Sequence, residues 1–199
     1  MAGHCWFGTP CSSFIWIARG HTRRSARRPL GNTQRRDVRA ANLCAERCFW
    51  LVTLLIFRGV FFTIEQPLSS SLFKLSWWTA ITADKTKIID GWGIRRIFVW
   101  LGAFGHHVAK PTVLVGIHPW MHSLADSAGR GSKPNLSGLG VIYRRLTLRK
   151  SGPRKGTWRV CGVKKALKRT QVYPRAFARE VAKRVGDHFD RLQARAHRY

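Results

Sequence analysis

The apolar run from Cys48 to Ile64 limits the architecture of this chain more than any other stretch. It is aliphatic and aromatic almost throughout, yet Arg58-Gly59 divides it, and neither half alone is long enough to cross a bilayer. From Val38 to Arg58 good helix formers dominate, polar residues come early and apolar ones late, Asp37 is placed to cap the start, and Gly59 supplies a stop. Val60 to Ile64 is β-branched and aromatic without alternation, the pattern of a strand covered on both faces. A buried helix feeding a buried central strand predicts an α/β domain.

The flanking segments extend that alternation. Residues 5–8 and 14–17 are short apolar runs on either side of Pro10-Cys11-Ser12-Ser13, and residues 19–36 read as a basic loop broken by Pro29 and Gly31. Residues 69–89 have helical character, Ile94 to Phe104 is strand-like, and Thr112 to Val115 forms a second short strand, with Gly105 to Pro111 as a hairpin-like connection. Val141 to Leu148 and Trp158 to Val163 suggest two more strands. Phe177, Val181, Val185, Phe189 and Leu192 recur at three- and four-residue spacing along a closing helix from Pro174 to Arg195. This divides the 199 residues into an α/β core, 1–122 with 171–199, and a basic, loop-rich insert, 123–170.

Charge narrows the partner. Thirty-six Lys and Arg against nine Asp and Glu give a formal charge of +27, which calls for a polyanion. No acid precedes Asp37, and none lies between Asp126 and Glu180. A solvated face normally mixes signs, so the one-sign stretches are read as nucleic-acid contacts: Arg23, Arg24, Arg27 and Arg28 near the start, and Arg144, Arg145, Arg149, Lys150, Lys155, Lys164 and Lys165 in the insert. DNA is favoured over RNA, with steeply salt-dependent binding and no membrane partner. An intracellular, nuclear or nucleoid-associated location follows; the Arg-rich N-terminus leaves mitochondrial import open, although Pro10 interrupts an amphipathic helix there.

The five cysteines make no disulfide ladder, and no pair has metal-ligand spacing with His4, His106 or His107. Cys44 and Cys48 are read as small apolar residues on the buried face of a helix, His106-His107 as a solvated loop pair, and Trp50, Trp77, Trp78 and Trp100 as core.

Cys11 is read differently, because a thiol just past a strand end, in Gly-Thr-Pro-Cys, stands where open α/β sheets do chemistry. It is expected to be exposed and reactive. Three segments in order, Pro10-Cys11, then Phe61-Phe62-Thr63-Ile64-Glu65-Gln66-Pro67, then Phe104-Gly105 through Lys110 to Gly116, resemble the catalytic half of the cytosine-5 DNA methyltransferases. The resemblance implies that Cys11 is the nucleophile and that Glu65, at a strand end with Gln66-Pro67 in place of Asn-Val, is the carboxylate. It puts Lys110 where the family has an arginine. Tyr173-Pro174-Arg175-Ala176-Phe177-Ala178 is similar to the start of the family's last helix.

The fold so implied is part of a Rossmann-like methyltransferase sheet with helices on both faces. S-adenosylmethionine is the implied cofactor, but its Gly-rich turn after a strand is missing, and Gly91-Trp92-Gly93 lies in the wrong context. The expectation is a domain that is inactive or cofactor-deficient as an isolated chain. Glu65 also has a purely structural reading, an ion pair with Arg58 or Arg95, and with it the whole chain has one: a non-catalytic basic nucleic-acid-binding protein.

Overall fold

The computed structural model describes residues 3–83, 88–89, 91–127, 143–148, 158–162 and 170–197. The architecture is mixed α/β. Strand β1 (His4–Phe7) leads through a short helix α1 (Arg19–Thr22) and a long helix α2 (Arg36–Phe57) to β2 (Phe61–Pro67). Next come α3 (Ser76–Ala83), the two-residue strands β3 (Ile88–Ile89) and β4 (Trp92–Gly93), β5 (Arg95–Trp100), β6 (Pro111–Ile117) and α4 (His122–Ser127). Strands β7 (Tyr143–Leu148) and β8 (Trp158–Gly162) precede the closing helix α5 (Arg175–Ala196).

Four strands form the main sheet in the order β1-β2-β6-β5. β1 and β2 are parallel, so α2 is their crossover, while β6 runs antiparallel to both β2 and β5. The sheet is therefore mixed. Six consecutive residues of β2, Phe61 to Gln66, are buried, as the lack of alternation predicts for a central strand. β5 instead alternates, with Ile97 and Val99 inward and Phe98 outward, because it is an edge strand with one covered face. Gly116 on β6 sits against β2 so closely that a Cβ there would lie 2.0 Å from the Phe62 carbonyl oxygen.

Several boundaries differ from the sequence expectation, each for a local reason. The apolar run 14–17 is turn: Phe14 and Ile15 both donate their N–H to the Cys11 carbonyl, and Trp16–Ala18 continues as a single 3-10 turn. The expected helix over 69–89 divides into a 3-10 turn at Leu72–Lys74, α3, and β3. Asp37 is not the cap of α2; it stands in the first turn, where a carboxylate complements the helix dipole, and is bound by Arg35 and His21. Gly59, at φ 65°, does end α2 as expected.

α2 is not a fully buried helix. Val38, Ala45, Cys48 and Val52 are buried, while Leu43, Trp50, Leu51, Leu54 and Phe57 form an outward apolar stripe, Phe57 being 76% exposed. By length and composition α2 could cross a membrane. Trp50 and Cys44 accordingly leave the core assigned to them, whereas Cys48 and Trp78 are buried.

Polar groups tie the N-terminal layer together. Arg24 is corrected from a nucleic-acid contact to a structural residue: it is 2% exposed, its guanidinium donates to Ser13 Oγ and the Pro29 carbonyl, and it lies 4.0 Å over the Phe14 ring. Burial pushes its pKa down to about 10. Across the sheet, Thr63 Oγ1 is shared between His4 Nε2 at 3.0 Å and His118 Nδ1 at 3.1 Å. One hydroxyl thus joins two imidazoles, donating its proton to one ring nitrogen and accepting an N–H from the other. Burial holds both rings neutral, lowering His4 to about 4 and His118 to about 3.

α5 lays the predicted stripe inward, with Phe177 buried and Val181, Val185, Phe189 and Leu192 packed against the core. Within the insert, β7 and β8 form a separate antiparallel pair, Arg144 opposite Cys161 and Arg145 opposite Val160. Arg149, Lys150, Lys155, Lys164 and Lys165 lie outside the described residues.

Candidate functional site

The loop leaving β1 is built to hold a thiol in place. Pro10 restricts the backbone just before Cys11, and the two N–H groups accepted by the Cys11 carbonyl close the turn at 2.8 and 3.1 Å. Gln66, the residue after Glu65 on β2, donates from Nε2 to the Thr9 carbonyl at 2.6 Å, and its Oε1 accepts from Ser70. Thr9 Oγ1 is also 3.3 Å from Cys48 Sγ on α2. The Pro-Cys loop is therefore clamped to the strand that carries the carboxylate.

Glu65 is not at a strand end as expected. It lies within β2, opposite Leu114 on β6, and is 5% exposed. A carboxylate in such a position needs partners, and it finds them from two distant segments. Tyr173, just before α5, donates its hydroxyl to Oε2 at 2.8 Å, and Lys110 Nζ stands 3.7 Å from Oε1. Among the described residues Oε1 has no hydrogen-bond partner. The alternative pairing with Arg58 or Arg95 does not occur: Glu65 faces Lys110 and Tyr173 instead.

Lys110 reaches this position through an unusual backbone. Its φ of 35° is left-handed, a conformation that a side-chain-bearing residue adopts only where its surroundings enforce it. Its carbonyl accepts from Leu101 N–H and Thr112 Oγ1, and its Nζ lies 5.0 Å from the centre of the Tyr173 ring. Close by, His106 is buried rather than solvated, bonded through Nδ1 to Val108 and stacked on the exposed His107 at 4.5 Å.

Cys11, Glu65, Lys110 and Tyr173 all line one cavity of about 560 Å3, closed elsewhere by Ile15 and Trp16. That volume suits a small organic ring with a substituent. Burial raises the Cys11 thiol above its ordinary pKa, the Glu65 carboxylate adds to the effect, and the Lys110 ammonium opposes it. Burial, then Glu65, likewise pushes the Tyr173 phenol up, so Tyr173 acts as a donor here. At rest the site holds its protons on sulfur and phenol.

The expected exposed, reactive thiol is thus corrected: Cys11 is half-buried with a raised pKa, whereas Cys44 is exposed. Alkylation mapped by mass spectrometry should find Cys44 reacting ahead of Cys11. Glu65→Gln should speed Cys11 by about threefold or more and Lys110→Met should slow it. Equal rates in all three proteins would mean that the thiol does not feel these charges.

Two members of the site lacked a clear sequence signal. Gln66 reads as a departure from Asn in the resemblance, and Tyr173 as part of a helix start; neither spacing nor composition marks a hydrogen bond to residues 57 and 108 positions away. Of the basic residues proposed for nucleic acid, Arg23, Arg27 and Arg28 are exposed. Among the described residues no cluster could hold a metal ion. No family model, curated protein or solved structure matches the chain.

Proposed function

We propose that this chain is a cytosine-5 methyltransferase-like domain, whose site accepts a pyrimidine extruded from nucleic acid and activates its ring by thiol addition. The convergence of Cys11, Glu65 and Lys110 on one cavity carries this reading. The parallel β1-α2-β2 unit, with the thiol after the first strand and the carboxylate on the second, supports reading the sheet as the catalytic half of a Rossmann-like methyltransferase sheet. The formal charge of +27 supplies attraction to the polyanion, and a base must leave the stack to reach a recessed thiol.

In the proposed reaction the Cys11 thiol loses its proton to water and the sulfur adds to C6 of the ring. The C5–C6 double-bond electrons move toward C5 and the conjugated N3 and O2. As the sulfur adds, N3 takes a proton from water, returned when the sulfur leaves, and this N3–H donates to Glu65 Oε1, which has no other hydrogen bond among the described residues, while Tyr173 holds the other carboxylate oxygen and fixes the carboxyl plane. The Lys110 ammonium stabilises charge developing on O2. C5 then takes a proton from water, releases the original C5 hydrogen as a proton, and the sulfur leaves.

When bound, S-adenosylmethionine would supply a methyl group in place of that proton. The described residues do not fit this cofactor. β1 leads into Gly8-Thr9-Pro10 rather than a glycine-rich turn, and two carboxylates that could have bound a ribose are already engaged, Glu65 by Tyr173 and Lys110, and Asp37 by Arg35 and His21. The chemistry assigned to them stops at the activated ring.

The test therefore needs no cofactor. In deuterated water, a cytosine-containing single-stranded oligonucleotide should exchange its C5 hydrogen for deuterium, read by mass spectrometry. Cys11→Ser should abolish the exchange, and Glu65→Gln should slow it by about 10²-fold or more. The raised Cys11 pKa favours a second reading, a non-catalytic nucleic-acid-binding protein. No exchange by the intact chain, or exchange that survives Cys11→Ser, would decide for it.

A further inference from the structure

A second cavity, of about 370 Å3, opens between β4, the turn after β6, and the last turns of α5. It lies at the other end of the sheet from Cys11. β6 starts beside Lys110 and ends at Ile117, just before this turn; seven residues of strand place the two cavities roughly 20 Å apart. Its walls are aromatic. Trp120 is 4% exposed, and its ring centre lies 4.9 Å from that of His188 on α5. Trp92, on β4, forms another wall.

The rim is cationic. Arg191 and Arg195 stand one helical turn apart on α5 and line the same cavity. Neither forms an ion pair among the described residues, although Asp187 precedes Arg191 by one turn. Their fixed donor forks match phosphate oxygens.

We propose that this cleft is a binding site for a nucleoside 5′-phosphate, held by its base against the half-buried Trp92, with Trp120 as packed wall behind it, and by its phosphate on Arg191 and Arg195. A simple anion would use the arginines and leave the rings idle, whereas a plain apolar ligand would leave the two guanidinium groups unmatched. A planar ring attached to a phosphate uses both the Trp92 face and the two arginines. The nucleotide can be free or the 5′ end of a single strand. This site is independent of the chemistry at Cys11.

Titration calorimetry at about 0.15 M salt, where long-range attraction is screened, tests it with the full chain. 5′-AMP should bind at one site at least tenfold more tightly than either adenosine or inorganic phosphate. Trp92→Ala and an Arg191→Ala/Arg195→Ala double variant should each weaken 5′-AMP by about tenfold or more. Arg39→Ala, on exposed α2, should change nothing, and Trp92→Phe should retain most of the affinity, separating loss of a ring from loss of fold. A 5′-phosphorylated hexanucleotide that binds more tightly than 5′-AMP identifies a strand end as the source; weaker binding identifies a free nucleotide. Phosphate binding as tightly as 5′-AMP, or 5′-AMP binding untouched by either the tryptophan or the arginine variants, overturns the proposal.

Discussion

Lowering the pH from 7 to 5 should remove about 4 kcal/mol of folding stability through two histidines alone. His4 and His118 are held neutral by burial, at about 4 and about 3, whereas in the unfolded chain each titrates near the ordinary value of about 6.5. Below that value the unfolded state binds protons that the folded state refuses, so stability is fully present above about pH 6.5 and falls as the pH drops. Each ring contributes about 1.4 kcal/mol per pH unit in this window, until His4 and then His118 titrate in the fold. The loss is a large share of a typical domain's stability. Urea melts at pH 7, 6 and 5 measure it, and His118→Asn, which keeps an acceptor beside Thr63, should cut the slope by about half. A midpoint that does not move between pH 7 and 5 would show that neither ring is buried neutral.

Gly116→Ala should cost about 3 kcal/mol or more, enough to deplete the folded protein. The added carbon would meet the Phe62 carbonyl oxygen at 2.0 Å and its carbon at 2.9 Å, both backbone atoms in the pairing between β2 and β6. No rotamer relieves such a contact; the strands must separate. Gly186 provides the internal control, because it lies within α5 with nothing within 4 Å of an added Cβ. There alanine should stabilise by about 0.5–1 kcal/mol. Thermal melts of the two variants should move in opposite directions, and a Gly116→Ala melt within two degrees of the parent would refute the close approach of the strands.

What the sequence revealed was set by short-range pattern. The helix-to-strand change across Gly59, the buried run of β2 and the stripe from Phe177 to Leu192 are periodicities, and each reads directly. What it concealed depends on which face meets which neighbour. Apolar content alone does not say that Trp50, Leu54 and Phe57 turn outward from α2, because that is decided by how far the sheet extends beneath the helix. An arginine-rich segment gives no sign that Arg24, unlike Arg23, Arg27 and Arg28, turns inward to hold Ser13 and Pro29. Cys11, Glu65 and Lys110 were legible as candidates from their order, but Glu65 was placed at a strand end because Gln66-Pro67 looks like a terminus. Pairing with β6 carries the strand through to Pro67.

The hydroxyl that steadies Glu65 belongs to a residue 108 positions further along the chain. A ribosome must therefore emit the chain past Tyr173 before the cleft beside Cys11 is complete. A product that terminates between Glu65 and Tyr173 carries the sulfur and the carboxylate without the phenol that orients the carboxylate, so the proposed chemistry would belong only to molecules whose synthesis has run past Tyr173.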